Sequence, residues 1–456
     1  MHPFVIQLDD RAVSFARDGH VLSIAPSAVW DGSAGEPAGS NAWNTLRRHP
    51  TATSTRHLGA LLSQPAASDR SIALVAAELV RRLAAQPPVP GESVWMATPA
   101  LAAEHGLSAI LAIARKLSLP VDGFVDAAVA SVAALGLEQS AIVLEIGMHH
   151  AAATYIDRDG AQVRRRRTAV AERGGLVAFY QGWLELVSTT MVKRTRFDPL
   201  HDAATEQKLF DSLASWTREA AIEGAVNAVL TKGEERFEVT LTRDQFAQAG
   251  QGLHRELVRL FHELRPAGAP VALVVPAVVE HLPGVRDAFE QFVECELISV
   301  PDGFAAAVAS SFDLPERADT DPVRLLRRLP VITGEAPDSV SEVRRHRLGT
   351  REGPVAVPSH LLLDDQVYSL GGAPLVIGRS PAGPRTIVLA EGLAGVSRRH
   401  CTLVSEGGEM VLVDHSSFGT YVNGERVAER VRLHSGDRIR IGDPGVELSL
   451  IAVTGA

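Results

Sequence analysis

The sequence predicts a multidomain chain in which a large α/β region is followed by a small all-β sandwich. Three observations carry this. The chain has 456 residues, more than a single hydrophobic core accommodates. Through residue 312, short apolar strand patterns alternate with longer segments of helical spacing, as in a layered sheet with helices on its faces. From residue 355 onward, strand-length patterns recur about every eight to twelve residues, with turn signals between them and no helix-length apolar pattern.

The elements follow in order. Residues 4–8 read as a strand, Asp9-Asp10 as a turn, and 12–16 as a second strand closing at Asp18-Gly19. Residues 31–70 are rich in Gly, Ser, Pro and Thr, lack periodicity, and read as loop. The spacing predicts a helix over 72–85, ending before Pro87-Pro88, then a buried strand over 94–97 and helices over 100–116 and 126–135. Residues 141–146 and 151–156 read as a hairpin around Gly147. Long helices over 202–230 and 242–264 are separated by a strand at 237–240. A buried strand at 271–275 precedes helices starting near Leu282 and at Gly303. Residues 313–354 change character: Pro, Glu, Arg, Asp and Thr dominate, and Pro315, Pro322, Pro330 and Pro337 break any long helix. This segment reads as a linker with one short amphipathic piece at 323–328. The expected domains are therefore 1–312, the linker 313–354, and 355–456.

Composition bounds the function. Hydrophobic residues make up 46% and charged residues 22%, as in ordinary globular proteins. A formal net charge of −9 argues against a general nucleic-acid binder. Cys295 and Cys401 are far apart, so neither a disulfide framework nor a cysteine-based zinc site is expected. The N-terminus lacks a basic segment followed by an apolar one, and no run of eighteen apolar residues occurs. A cytoplasmic protein without a membrane partner is expected.

The chemistry concentrates near the C-terminus. Gly378-Arg379-Ser380, Ser397-Arg398-Arg399-His400 and Ser416-Ser417-Phe418-Gly419-Thr420-Tyr421-Val422-Asn423-Gly424 place arginines and hydroxyls on successive loops. Such a set suits a phosphate with two negative charges and three acceptor oxygens. On these motifs, residues 355–456 resemble forkhead-associated (FHA) domains, β-sandwiches that bind phosphothreonine peptides through loops at one end. The resemblance implies that Arg379 pairs with the phosphate, that Ser397 and Ser417 give it their hydroxyls, and that Arg398 adds phosphate or peptide-backbone contacts. It gives His400 a bracing role, and Gly378, Gly419 and the Asn423-Gly424 turn roles in backbone geometry. Gly436-Asp437 matches the family's late turn. Phe418 departs from the pattern, because the family often has an asparagine there whose amide holds the peptide backbone. The implied partner is a phosphothreonine-containing protein, a Ser/Thr kinase or its substrate. Thr320, Thr333 and Thr350, in or beside the linker, add a self-regulatory reading: once phosphorylated, one of them could be bound by Arg379 in cis, because a short tether supplies a high effective concentration.

A second resemblance covers residues 1–312. Residues 94–100, 124–132, 142–156 and 237–246, with Gly174-Gly175-Leu176, follow the element order of the actin and heat-shock chaperone (DnaK-like) ATPase superfamily. That implies two lobes, each ribonuclease H-like. Such folds bind magnesium-ATP between two hairpin loops, where glycines let backbone N–H groups approach the phosphates and an aspartate organises the metal. Here the first loop is Gln7-Leu8-Asp9-Asp10-Arg11, without glycine and with two carboxylates. The second is Glu145-Ile146-Gly147-Met148-His149-His150, and the late glycine pair becomes Val275-Pro276-Ala277. These replacements imply a pseudo-ATPase kept as an interaction scaffold, with no catalytic residue, no metal and no cofactor. The alternative is an ATP-binding, chaperone-like protein regulated by the C-terminal module. In that case Asp9, Asp10, Arg11, Glu145 and Gly147 would keep residual contacts with Mg-ATP.

Three further groups are weighed. His149 and His150 are neighbours whose side chains face opposite ways if extended, which disfavours a shared metal site. The run Arg164 to Arg167 has two readings, a solvated strand edge protected by charge or a patch for an acidic or phosphorylated partner. Asp414-His415-Ser416 is contiguous and lacks a nucleophile-elbow pattern, so no catalysis is assigned to it.

Overall fold

The computed structural model describes residues 2–31, 38–64, 68–172, 174–266, 270–290, 292, 295–315, 317, 322–333, 337–348, 357–363, 366–390, 393–422, 425–442 and 445–452. The chain divides into two compact units. The first comprises residues 1–265, 272–288 and 297–346, and the second 266–271, 289–296 and 347–456.

The first unit opens with an antiparallel meander of β1 (Phe4–Leu8), β2 (Ala12–Arg17) and β3 (His20–Pro26). A short pair, β4 (Val29–Trp30) with β5 (Thr53–Ser54), and helices α1 (Ser40–Trp43), α2 (His57–Ser63) and α3 (Asp69–Ala85) come next. Strand β6 (Val94–Thr98) then runs parallel to β1 and is buried along its whole length. After α4 (Glu104–Lys116), β7 (Val121–Asp126) adds parallel to β6. Asp126 caps α5 (Ala127–Ala133), its carboxylate accepting the Val129 N–H at 3.1 Å.

A second antiparallel meander follows, of β8 (Ala141–Ile146), β9 (Ala151–Asp159) and β10 (Gln162–Ala171). Helices α6 (Leu176–Thr195) and α7 (Ala203–Glu223), the hairpin β11 (Ala225–Lys232) and β12 (Glu235–Thr242), and helices α8 (Arg243–Ala249) and α9 (Gln251–Leu264) lead to β13 (Val271–Pro276), which runs parallel to β8. Then come α10 (Val285–Phe289), β14 (Cys295–Val300), α11 (Phe304–Ala309), β15 (Arg324–Leu326), β16 (Arg328–Pro330) and β17 (Arg344–Arg347). The sheet orders are β15-β7-β6-β1-β2-β3 and β16-β10-β9-β8-β13-β14-β17. One topology thus occurs twice, a three-stranded meander extended by a strand parallel to its first member. Helices α5 and α11, rich in alanine and wholly buried, share a core with Val5 and Ala97 of one sheet and Val143 and Ala272 of the other. Small side chains let them sit between the two sheets.

Several expectations give way to tertiary structure. The helix expected over 202–230 stops at Glu223, where Gly224 turns left-handed at φ 83°, and residues 225–232 form β11. The helix over 242–264 is divided at Gly250 into α8 and α9. Residues 57–63, expected as loop, form α2 and bury His57, Leu58, Leu61 and Leu62. The amphipathic piece expected at 323–328 is instead two strands, β15 pairing parallel with β7 and β16 antiparallel with β10. Consequently β10 is not a free edge. Each arginine of its run is engaged within the unit: Arg164 with Asp159, Arg165 with Asp126 at 2.8 Å, Arg166 with Asp157 at 2.7 Å and Arg167 with the Leu264 carbonyl at 3.0 Å.

The second unit is a β-sandwich. Its strands are β18 (His360–Leu363), β19 (Gln366–Ser369), β20 (Leu375–Gly378), β21 (Arg385–Val388), β22 (Cys401–Glu406), β23 (Glu409–Asp414), β24 (Thr420–Val422), β25 (Glu425–Arg426), β26 (Arg430–Leu433), β27 (Arg438–Ile441) and β28 (Val446–Ile451). They form sheets ordered β19-β18-β28-β27-β24-β25 and β21-β20-β22-β23-β26. Alternate residues face inward, so that Ile377, Leu403, Leu412, Ile439, Ile441 and Leu448 meet in one core.

Candidate functional site

Three loops meet at one end of the sandwich. Arg379 donates its N–H to the Ser397 carbonyl at 3.0 Å, and Ser380 to that of Arg398 at 3.0 Å. These bonds bring the loop after β20 against the loop before β22. Gly378 makes the approach feasible: a Cβ there would lie 2.2 Å from the Arg398 carbonyl oxygen. The third loop, after β23, joins through the Ser417 N–H, which donates to Ser397 Oγ at 3.2 Å.

Ser397 is the junction. Its N–H donates to Nδ1 of His400 at 3.1 Å, so that nitrogen carries no proton. His400 is fully buried, and burial holds its pKa below the usual imidazole range. The ring therefore stays neutral and braces the loop as an acceptor. Ser397 Oγ accepts the Ser417 N–H, and its hydroxyl keeps a proton to donate. Ser417, Arg379 and Arg398 are exposed. Among the described residues, neither the Arg379 nor the Arg398 guanidinium has a hydrogen-bonding or ion-pair partner. Three other arginines of the sandwich are occupied: Arg385 donates to the Gly371 and Ala373 carbonyls, Arg430 pairs with Glu406 and Arg432 with Glu409.

The third loop is built by Asp414. Its carboxylate accepts the Ser416 N–H at 2.9 Å and both the N–H and hydroxyl of Thr420 at 3.3 and 2.7 Å. Burial opposes ionisation, but these bonds hold the carboxyl below its usual pKa. Ser416 Oγ accepts the Gly419 N–H at 2.7 Å, and Gly419 takes a φ of 98°. His415 Nε2 bonds Thr402 Oγ1 at 3.0 Å, so Asp414, His415 and Ser416 do not form a proton relay. Phe418 stands at the tip, 69% exposed. Asn423 and Gly424 lie outside the described residues. One neighbour was not foreseen: a Cβ on Gly419 would lie 2.5 Å from Nε of Arg426, so that side chain lies along the same loop. Only strand register, which brings β25 beside β24, could have pointed to it.

The first unit gathers the other expected residues. Asp9, Asp10, Glu145 and Gly147 line a cavity of about 20 Å³ together with Gly59, Pro99 and His150, room for about one water molecule. Asp10 is almost fully buried, and its carboxylate accepts the N–H groups of Met148 at 2.8 Å and His149 at 3.2 Å. His150 Nε2 stands 3.4 Å away. A Cβ at Gly147 would lie 2.1 Å from Asp10 Oδ1, so the glycine is what admits the carboxylate. Arg11 pairs with Asp302 at 2.6 Å; burial acts to lower its pKa, but Asp302 and Asp9 together raise it. Burial pushes Asp9 up to about 7 against the pull of Arg11. Glu145 is pushed up to about 8, by burial first and then by the Asp126 carboxylate. Its Oε2 accepts the Ala100 N–H at 2.9 Å. The two histidines lie in the turn between β8 and β9 and serve different partners, His149 bonding Thr55 and His150 facing Asp10. Burial, with Arg56, lowers His149 to about 4. Among the described residues no group of three His, Cys, Asp or Glu is arranged to hold a metal ion, and no helix is long and apolar enough to cross a membrane.

The chain is similar to known proteins in two respects. Over 264 residues, 51% of this chain, the sequence is 21% identical to the kinesin-like protein unc-104 of Caenorhabditis elegans, and the chain spans 16% of that protein's length. Residues 375–442, from β20 through β27, match the model of the FHA domain family. The chain is thus multidomain, and its C-terminal sandwich carries an FHA domain, a type that implies a phosphothreonine-binding signalling or adaptor role.

Proposed function

We propose that this chain is a non-catalytic signalling adaptor. It binds phosphothreonine-containing partners through Arg379, Ser397, Arg398 and Ser417. The observation that carries the reading is the bonding state of that face. Two exposed guanidinium groups lack partners among the described residues, and the Ser397 hydroxyl, which accepts the Ser417 N–H, keeps a proton to donate. Charge-assisted hydrogen bonds are worth about 1.5–3 kcal/mol each. Three or four of them, after the cost of ordering a peptide, give the modest affinity of a reversible contact. The proposed partner is a Ser/Thr kinase or one of its substrates, and the proposed setting is the cytoplasm.

In the same reading residues 1–312 are a degenerate actin-like ATPase fold retained as an interaction scaffold. Its support is the twice-used sheet topology, which suits two ribonuclease H-like lobes. The N–H groups of the second loop already bind Asp10, Arg11 is held by Asp302, and the cavity is about 20 Å³. Asp9, Asp10, Arg11, Glu145 and Gly147 then hold the loops together and bind no nucleotide, and no cofactor is required.

Titration against a phosphothreonine peptide library, with Arg379→Ala beside the native chain, tests the first half. Equal binding by both proteins would sink it. Calorimetry with magnesium-ATP tests the second half. Silence at millimolar nucleotide supports the scaffold, whereas a saturable heat would favour the ATP-binding, chaperone-like alternative.

A further inference from the structure

We propose that Arg426, Tyr421 and Arg440 form a second anion-binding track beside the phosphothreonine pocket. It takes a further negatively charged group, a carboxylate or a second phosphoryl group, on the same partner peptide. The proposal rests on the phosphopeptide reading of the FHA face and extends it to what flanks the phosphothreonine.

The register of the second sheet sets the three side chains in a row. Tyr421 lies directly opposite Arg426 of β25 on one side and Arg440 of β27 on the other. Directly opposed residues project from the same face of a sheet. That face is the outer one, since Thr420, Val422, Ile439 and Ile441 are buried while Tyr421, Arg426 and Arg440 are not. The Arg440 guanidinium lies 4.3 Å from the centre of the Tyr421 ring. Stacking on an aromatic face orders a guanidinium without using its N–H donors, which stay available in the plane.

Arg426 links this row to the pocket. Gly419 stands two residues before Tyr421, at the end of the loop that precedes β24. Its missing side chain leaves the space in which Nε of Arg426 lies, beside the loop that carries Ser417. Among the described residues neither Arg426 nor Arg440 has a hydrogen-bonding or ion-pair partner. The carboxylate opposite Arg440 in register, Glu447, is held by Arg438 at 2.7 Å and does not neutralise the row. A phosphothreonine engaged by Arg379 and Arg398 therefore leaves two unpaired guanidinium groups, one of them stacked on Tyr421, for another anion on the same peptide.

The test uses the full chain and fluorescence anisotropy. Phosphothreonine peptides carry one glutamate moved through each flanking position, with glutamine at the same place as neutral control, and a parallel set carries phosphoserine there. At one or two positions the glutamate peptide should bind about fivefold to tenfold tighter than its control. A larger preference for phosphoserine identifies a doubly phosphorylated partner, and an equal one an acidic sequence; either supports the track. Arg426→Gln and Arg440→Gln should each bring the preference close to one while binding of the glutamine peptide stays within about twofold, which also reports that the variants are folded. The proposal is overturned by a ratio near one at every position, by a ratio unchanged in both variants, or by loss of the control peptide along with the preference. If the native chain binds none of the phosphopeptides, the phosphothreonine reading itself has failed, a separate result.

Discussion

Replacing Asp10 probes how the loops of the first unit are held. Its carboxylate accepts two backbone N–H groups, from Met148 at 2.8 Å and His149 at 3.2 Å, in a site almost closed to water. Asp10→Ala leaves both donors unpaired, and each unsatisfied buried group costs about 1–3 kcal/mol. Water entering the enlarged cavity recovers part of that, so the net loss should be about 2–4 kcal/mol. Asp10→Asn keeps one acceptor oxygen and should lose about half as much. Formate is the detached equivalent of the missing group. It should raise the unfolding midpoint of Asp10→Ala with concentration, as mass action requires, and leave the native chain unmoved. Calorimetry gives the midpoints, and hydrogen exchange at the Met148 and His149 amides gives the local readout. Stability within about 0.5 kcal/mol of the native chain, or equal formate shifts in both proteins, would refute the claim that this carboxylate ties the two hairpins.

Glu145 supplies a pH signature. Its carboxyl is raised from 4.5 to about 8, chiefly by burial, so the folded chain keeps a proton that the unfolded chain releases. The associated stability is present in acid and disappears as pH rises through about 8. Glu145→Gln, neutral throughout and still able to accept the Ala100 N–H, should match the native melting temperature near about pH 5 and exceed it by a few degrees near about pH 9; a constant difference across that range would count against the assignment. Gly378→Ala should destabilise the sandwich by about 1–3 kcal/mol, because the new methyl meets the Arg398 carbonyl at 2.2 Å. An unchanged denaturation midpoint would show that the loops do not need that close approach.

What the sequence discloses is local. The Asp9-Asp10 and Gly147 turns and the alternating strands of the sandwich each leave a mark within a few residues. The loop motifs around Arg379, Ser397 and Ser417 are equally compact, and the fold brings the three loops together. Pairings between distant segments leave no such mark. Arg11 meets Asp302 across 291 residues, and Asp10 meets Met148 across 138. Residues 324–330 are too short and too rich in charge to read as strands, and their pairing with β7 and β10 stabilises them there. Residues 225–230 extend a helical pattern, yet Gly224 and pairing with β12 decide for a strand. Arg426 looks like an ordinary surface residue until register sets it beside Tyr421 and Gly419.

The FHA face is proposed to bind phosphothreonine through Arg379. The most direct measurement is the dissociation constant of one phosphothreonine peptide against its unphosphorylated twin, for the native chain and for Arg379→Ala. Saturable binding should require the phosphate and fall at least about tenfold in the variant, the loss of one charge-assisted hydrogen bond or more. Binding indifferent to the phosphate, or unaltered by Arg379→Ala, would contradict it.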